Sequence, residues 1–204
     1  MALWEQIHGK PSPESQREIV TFLVLSILAF LPYANTLLNT FVYDDYFQVV
    51  ENPYVHSFRY LREIFATTVW SFQGANGITN YYRPLMSFGY LLVYQIAGAV
   101  PISFHIANVA LNVVVVLLVF SVVRRLSGER VGLIAAGLFA LHPLHTESVA
   151  WIAAVTDLEL SVFYLLTYLF YLRLPEAEKG KTPLLDFSPI SPGLADVISQ
   201  VPLL

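Results

Sequence analysis

The chain has no cysteine and few charges: Asp, Glu, Lys and Arg make up 13% of its 204 residues, against about a quarter in a usual soluble domain. The first absence excludes disulfides, thiolate nucleophiles and thiolate metal ligands, and leaves the redox compartment open. The second excludes water as the main solvent. With 56% hydrophobic residues and a mean hydropathy of +0.59, this is an all-α integral membrane chain. There is also no internal repeat, no Gly-rich phosphate loop and no basic patch for nucleic acid; Gly74 and Gly77 in "QGANG" read as a turn. The net charge of −4 says little, because in a membrane the side on which each Lys and Arg lies matters more than their sum.

What is present is a series of long apolar runs. Four crossings are expected, at 19–38, 102–123, 131–155 and 158–174, the third broken or capped at Pro143. The first run follows a polar leader and lacks a small-residue cleavage site, so it reads as an anchor rather than a signal peptide. With a cytoplasmic leader, 1–18, this assignment puts Lys10, Arg17, Arg124, Arg125, Arg130, Arg173, Lys179 and Lys181 inside. Only Arg59, Arg62 and Arg83 fall outside, as the positive-inside bias asks. The uncharged stretch 84–100 is then a helix along the outer interface, started by Pro84 and ended by Gly98 and Pro101. An amphipathic interfacial helix is expected over 58–72 in the same exterior loop, 39–101. The tail, 175–204, is rich in Pro and Ser and reads as a linker or a cut end.

This topology brings two polar stretches to one side. In "FVYDDYFQVVENP", Asp44 and Asp45 sit among aromatics just after the first crossing. They are either solvated loop acids or a functional pair. As a pair they can act as general base toward a hydroxyl, or hold a divalent metal beside a phosphate. Arg83 in "YYRPL" either snorkels to lipid headgroups or meets a phosphate with its planar fork. His105, Asn108 and Asn112 share one helix face; the asparagines are expected to hydrogen-bond to a neighbouring helix, while His105, near the exterior end, can reach the acids. "HPLHTE" carries His142, His145 and Glu147, with turn and hydrogen-bonding roles for the histidines and a second cavity acid in Glu147. Zinc is disfavoured because Pro143 breaks the helix that would align the histidines. Thr156 to Glu159, "TDLE", has the form of a capping box.

Together "FVYDDYFQVVENP", "YYRPL", "FHIANVALN" and "ALHPLHTESVAWIAAVTDL" resemble, in order, the amino-terminal part of the transmembrane and tetratricopeptide-repeat-containing O-mannosyltransferases and related bacterial enzymes, from Leu37 to about Arg173. The resemblance implies a GT-C-like helical bundle. It also implies transfer of a sugar, mannose above all, from a polyprenyl-phosphate carrier to a hydroxyl acceptor such as protein Ser or Thr, with inversion, on the non-cytoplasmic face. Carried over by position, Asp44 and Asp45 are the catalytic acids, and Arg83, His105, His142, His145 and Glu147 are substrate-binding. No residue is assigned as a metal ligand and no cofactor is firm; a divalent metal held by the acids stays open. One departure stands out: relatives commonly have Gly-Arg before the position of Asp157, where this chain has Ala154 and Val155. The alternative expectation is a truncated, noncatalytic membrane scaffold or fragment of such an enzyme. The absence of cysteine leans toward a bacterial inner membrane over the endoplasmic reticulum.

Overall fold

A computed structural model describes residues 12–77 and 79–174, with the side chains of 75–77 excepted. The expected leader up to residue 11 and the expected tail from 175 lie outside the described residues. All regular structure among the described residues is helical. The chain divides into two compact units, the first ending at Leu169 and the second beginning at Phe170. The first holds the apolar cores. In the second, the Arg173 guanidinium lies over the Phe170 ring.

Three helical segments are long and apolar enough to cross a membrane: Pro13–Leu38, Pro101–Ser127 and Ile152–Arg173. The first opens with Ser12, whose hydroxyl accepts the Ser15 N–H at 3.2 Å, and with Pro13, whose missing N–H costs nothing there. It runs as α1 (Pro13–Phe30) and tightens into a 3-10 turn over Leu31–Leu38, where Pro32 has no N–H for the α ladder. Ile19, Leu23, Val24 and Ile27 stay exposed along it, an apolar face suited to lipid and not to water. This is a multi-pass membrane protein.

Of the shorter elements, α2 (Leu61–Ala66) and α3 (Pro84–Ala97) lie in the long loop. Fourteen residues of α3 span about 21 Å, short of a hydrocarbon core of about 30 Å. Pro84 is its first residue, and Gly98 ends it at φ +66°, where a side chain would be strained. The helix expected over 58–72 is broken. After α2 the backbone at Thr67 is extended, the Thr67 hydroxyl turns back to the Glu63 carbonyl at 2.7 Å, and the Val69 N–H pairs with the Tyr81 carbonyl at 2.9 Å. A run of three β-branched residues, Thr67 to Val69, disfavours continuing the helix.

Beyond the loop, α4 (Pro101–Ser127) packs on α1 and forms a hairpin with α5 (Glu129–Leu141). Gly128 makes the turn at φ +88°. At Gly132 an added Cβ would lie 3.0 Å from the Arg124 nitrogen, so the two helices meet almost backbone to backbone. Leu25, Ala29, Val116, Phe120, Ala136 and Ala140 fill this core. The Asn112 amide donates to the Ala29 carbonyl at 3.0 Å, and Arg124 pairs with Glu18 at 2.6 Å.

The stretch expected to form the third crossing comes in pieces. After α5 the chain makes a 3-10 turn at Pro143–His145, α6 (Thr146–Ala150), another 3-10 turn at Ile152–Ala154, and then α7 (Val155–Arg173). The expected capping box does not form. Thr156 lies inside a helix that already starts at Val155, and Glu159 rests against Gly89 of α3. A second core, containing Val49, Val55, Met86, Tyr90, Phe104 and Ile152, ties the long loop to the start of α4 and to the turn before α7. Within it the Tyr90 hydroxyl donates to the Ile152 carbonyl at 3.0 Å.

Candidate functional site

The acidic pair sits on a tight turn. The Asp45 N–H donates to the Val42 carbonyl at 3.0 Å, and the Val42 N–H donates to Asp45 Oδ2 at 3.1 Å. Asp45 Oδ1 accepts the Ala153 N–H at 2.8 Å, a contact between residues more than a hundred positions apart. Asp45 is thus wholly buried, a staple between the first crossing and the turn before α7. Burial pushes its pKa from 3.8 up to about 6. The two backbone N–H bonds oppose that rise, the Asp44 charge adds to it, and the Trp151 indole N–H, which reaches no acceptor in good hydrogen-bond geometry, lowers it only weakly.

Asp44 points the other way. It is half-buried on the wall of a cavity of about 270 Å³, together with Gln48, Trp70, Tyr81, Arg83, Glu147, Trp151 and Asp157. The turn that turns Asp45 inward and Asp44 outward includes Tyr43 at φ +46°, the one non-glycine residue with positive φ among those described. A bulky residue in that region costs on the order of 1–3 kcal/mol and persists only where the surroundings hold it.

Each other wall has its own cause. Arg83 stands just before Pro84, so the start of α3 fixes its position, and its guanidinium lies 5.2 Å from the centre of the Tyr81 ring. The short helix α6 carries Glu147, which is exposed to the cavity. The first turn of α7 carries Asp157, which accepts the Ser148 hydroxyl at 2.9 Å. The Asn108 amide donates to the Trp151 carbonyl at 3.0 Å and the Val149 carbonyl at 3.4 Å, anchoring the segment that presents Trp151 and the Ala153 N–H.

The fold therefore brings Asp44, Arg83 and Glu147 to one cavity, with Asp45 as its buried support. It does not bring the three histidines there. His105 is 1% exposed, has no partner for either ring nitrogen, and faces a neighbouring cavity with Asn39, Thr40 and Ala150. His142 accepts the Leu144 N–H at 3.2 Å, and the His145 ring lies 4.1 Å from that of Phe139, so both shape the turn ahead of Glu147. Among the described residues no three His, Asp or Glu side chains converge as a metal site. Asp45, with each oxygen taken by a backbone N–H, is a poor ligand in any case.

Sequence reasoning missed Gln48, Trp70, Tyr81, Trp151 and Asp157. Gln48 is buried with its Oε1 unpartnered, a costly state for an amide that has no ligand to meet. The two tryptophans and Tyr81 offer ring faces, while Asp44, Gln48, Glu147 and Asp157 offer hydrogen-bond acceptors. Aromatic faces beside acceptors and one guanidinium suit a polyhydroxylated ring attached to an anion.

The fold and this cavity define a polytopic helical membrane protein with a small polar site at one end of its bundle. Residues 83–188, slightly more than half of the chain, match the family described as dolichyl-phosphate-mannose-protein mannosyltransferase, and the chain belongs to that family. It is 39% identical over 161 residues to protein O-mannosyl-transferase Tmtc1 of Drosophila melanogaster, covering 78% of this chain and 19% of that protein. It is 40% identical over 156 residues to Tmtc2 of the same fly, covering 75% and 17%. With TMTC3 of Mus musculus it shares 31% over 168 residues, covering 82% and 18%. The matched stretch is thus less than a fifth of these relatives. The resemblance carried by the four motifs and these comparisons agree. No solved structure matches.

Proposed function

We propose that this chain forms the catalytic face of a GT-C membrane mannosyltransferase that moves mannose from a polyprenyl-phosphate carrier to a protein Ser or Thr hydroxyl, with inversion. The observation that carries the reading is the pairing, on the walls of one cavity, of the half-buried Asp44 carboxylate with Arg83, which has no ion-pair partner among the described residues. The acceptor oxygen attacks the anomeric carbon while its proton passes to the Asp44 carboxylate. The bond from that carbon to the phosphate oxygen breaks, and the phosphate leaves with the electron pair, its charge met by Arg83. No acid is needed on the leaving side. Asp45 is a positioning residue here, and Glu147 and Asp157 accept hydrogen bonds from sugar hydroxyls. His142 and His145 hold the turn that presents Glu147.

A cytoplasmic N-terminus is part of the same reading, supported by the distribution of Lys and Arg, and it puts the cavity at headgroup depth on the opposite face. Of the two membranes expected from the sequence, the animal origin of the relatives weighs toward the endoplasmic reticulum, against the lean toward a bacterial inner membrane drawn from missing cysteines. The test is transfer from a polyprenyl-phosphate mannose to a serine peptide by membrane-embedded chain. Asp44→Asn is expected to lower turnover about 10²- to 10⁴-fold; equal turnover in wild type and variant would falsify the assignment. Labelling of cysteines introduced at 44 and 147 must report the same leaflet.

A further inference from the structure

Asp44, Glu147 and Trp151 also line a second cavity, of about 560 Å³, which adds Val42 and Tyr43 and lacks Arg83 and Asp157. We propose that this lobe receives the polypeptide acceptor and selects an aliphatic or aromatic side chain next to the hydroxyl residue. The inference rests on the transferase reading and extends it to the acceptor.

Three observations choose the occupant. An inverting displacement needs nucleophile and leaving group on opposite sides of the reacting carbon. Arg83 marks the leaving-group side, in the first cavity alone, while Asp44 stands at the junction of both. The acceptor must therefore enter from the lobe that has the base and not the guanidinium. The carrier's phosphate needs a counter-charge: the lobe has two carboxylates and, among its lining residues, no cation such as Arg83 of the first cavity, so it suits a neutral or basic peptide better than a phosphate. The third observation is Tyr43. It is 85% exposed and held at φ +46° by the Asp45 turn, so it contributes nothing to the core yet keeps a strained backbone. A tyrosine kept in that state beside the catalytic carboxylate serves recognition, presenting its ring with Val42 and Trp151 as an apolar seat.

The test measures binding on the full chain in lipid nanodiscs, with the transfer assay run beside it. Two short fluorescent peptides carry one serine, flanked by Leu in the first and by Ala in the second. Wild type is expected to bind the Leu peptide about tenfold more tightly. Tyr43→Asn, a residue that tolerates positive φ, is expected to bring that preference below about twofold, and Tyr43→Gly repeats the measurement with the backbone freed. Neither variant should alter binding of a short-chain polyprenyl-phosphate mannose. Loss of donor binding in place of peptide preference would give the lobe to the polyprenyl chain and overturn the proposal, as would an unchanged preference in both variants. A preference that persists in Asp44→Asn, with transfer equal to wild type, supports the lobe while defeating the transferase reading, so the two failures are distinguishable.

Discussion

The α4–α5 hairpin with α1 and the loop end beside it are built from the same chain and touch the same helix, but they treat polar groups in opposite ways. In the hairpin region the core is apolar, Asn112 reaches a carbonyl of α1, and Gly132 lets backbones close together. At the loop end Gln48 and His105 are buried with unpartnered polar atoms, the indole nitrogen of half-buried Trp151 is without a hydrogen-bond partner, Asp45 is a buried carboxylate, and Tyr43 is strained. Buried orphans cost about 1–3 kcal/mol each, so the loop end gives up stability that the hairpin region keeps. Native proteins concentrate such costs where a ligand or a reaction uses them.

That contrast can be broken by variants that move only one side of it. The largest effect is expected from Arg83→Gln, which removes the phosphate counter-charge: mannosyl transfer should fall about 10²- to 10³-fold while the melting temperature in nanodiscs is unchanged. A matching loss of stability would mean that Arg83 is structural. Gly132→Ala should do the reverse. With a Cβ 3.0 Å from backbone of α4, the closely packed helix backbones must shift apart slightly, destabilising by about 1–3 kcal/mol in a thermal melt, with peptide and donor binding retained in the surviving fold.

Asp45 sharpens the comparison through pH. Its folded pKa of about 6 stands above the ordinary 3.8, so the folded state binds the proton more tightly than the unfolded one. Stability is therefore highest below about pH 4 as far as this group is concerned, and falls as pH rises through about 6. In Asp45→Asn that slope should vanish, and because the amide offers one acceptor oxygen where the carboxylate offers two, one backbone N–H loses its partner at about 1–2 kcal/mol. A melting curve whose pH dependence between 4 and 6 is the same in both proteins would contradict the burial argument. Smaller again is Asn112→Leu, which removes one interhelical hydrogen bond and should cost about 0.6 kcal/mol. Least is Glu18→Gln at the exposed Arg124 pair, expected within about 0.5 kcal/mol and smaller still at high salt.

Much of the architecture was legible because membrane spans are written in composition. Pro13–Leu38, Pro101–Ser127 and the helix ending at Arg173 overlap the apolar runs, Pro84 and Gly98 bound α3, and Asn108 and Asn112 reach across to neighbouring backbone. Asp44, Arg83 and Glu147 were also legible as polar residues in apolar surroundings. Less could be read where short-range signals competed. The period of 58–72 suggested a helix, but the Thr67–Val69 run and its pairing with Tyr81 stopped it. "TDLE" had the letters of a capping box, yet the Ile152–Ala154 turn let α7 begin at Val155, ahead of the expected cap, and left Glu159 to pack on Gly89.

Hydropathy and motif order by themselves determined that the chain is helical, multi-pass and a member of its family, because transfer of apolar side chains into lipid depends on composition and not on partners. Which of two adjacent aspartates faces a cavity was decided only by tertiary structure. Asp44 and Asp45 are chemically identical and neighbouring, and their difference arises when the Ala153 N–H, from a distant turn, takes up one carboxylate and buries it. The same holds for His105, which shares the motif pattern of a site residue but faces another cavity because the helix it rides on turns it there.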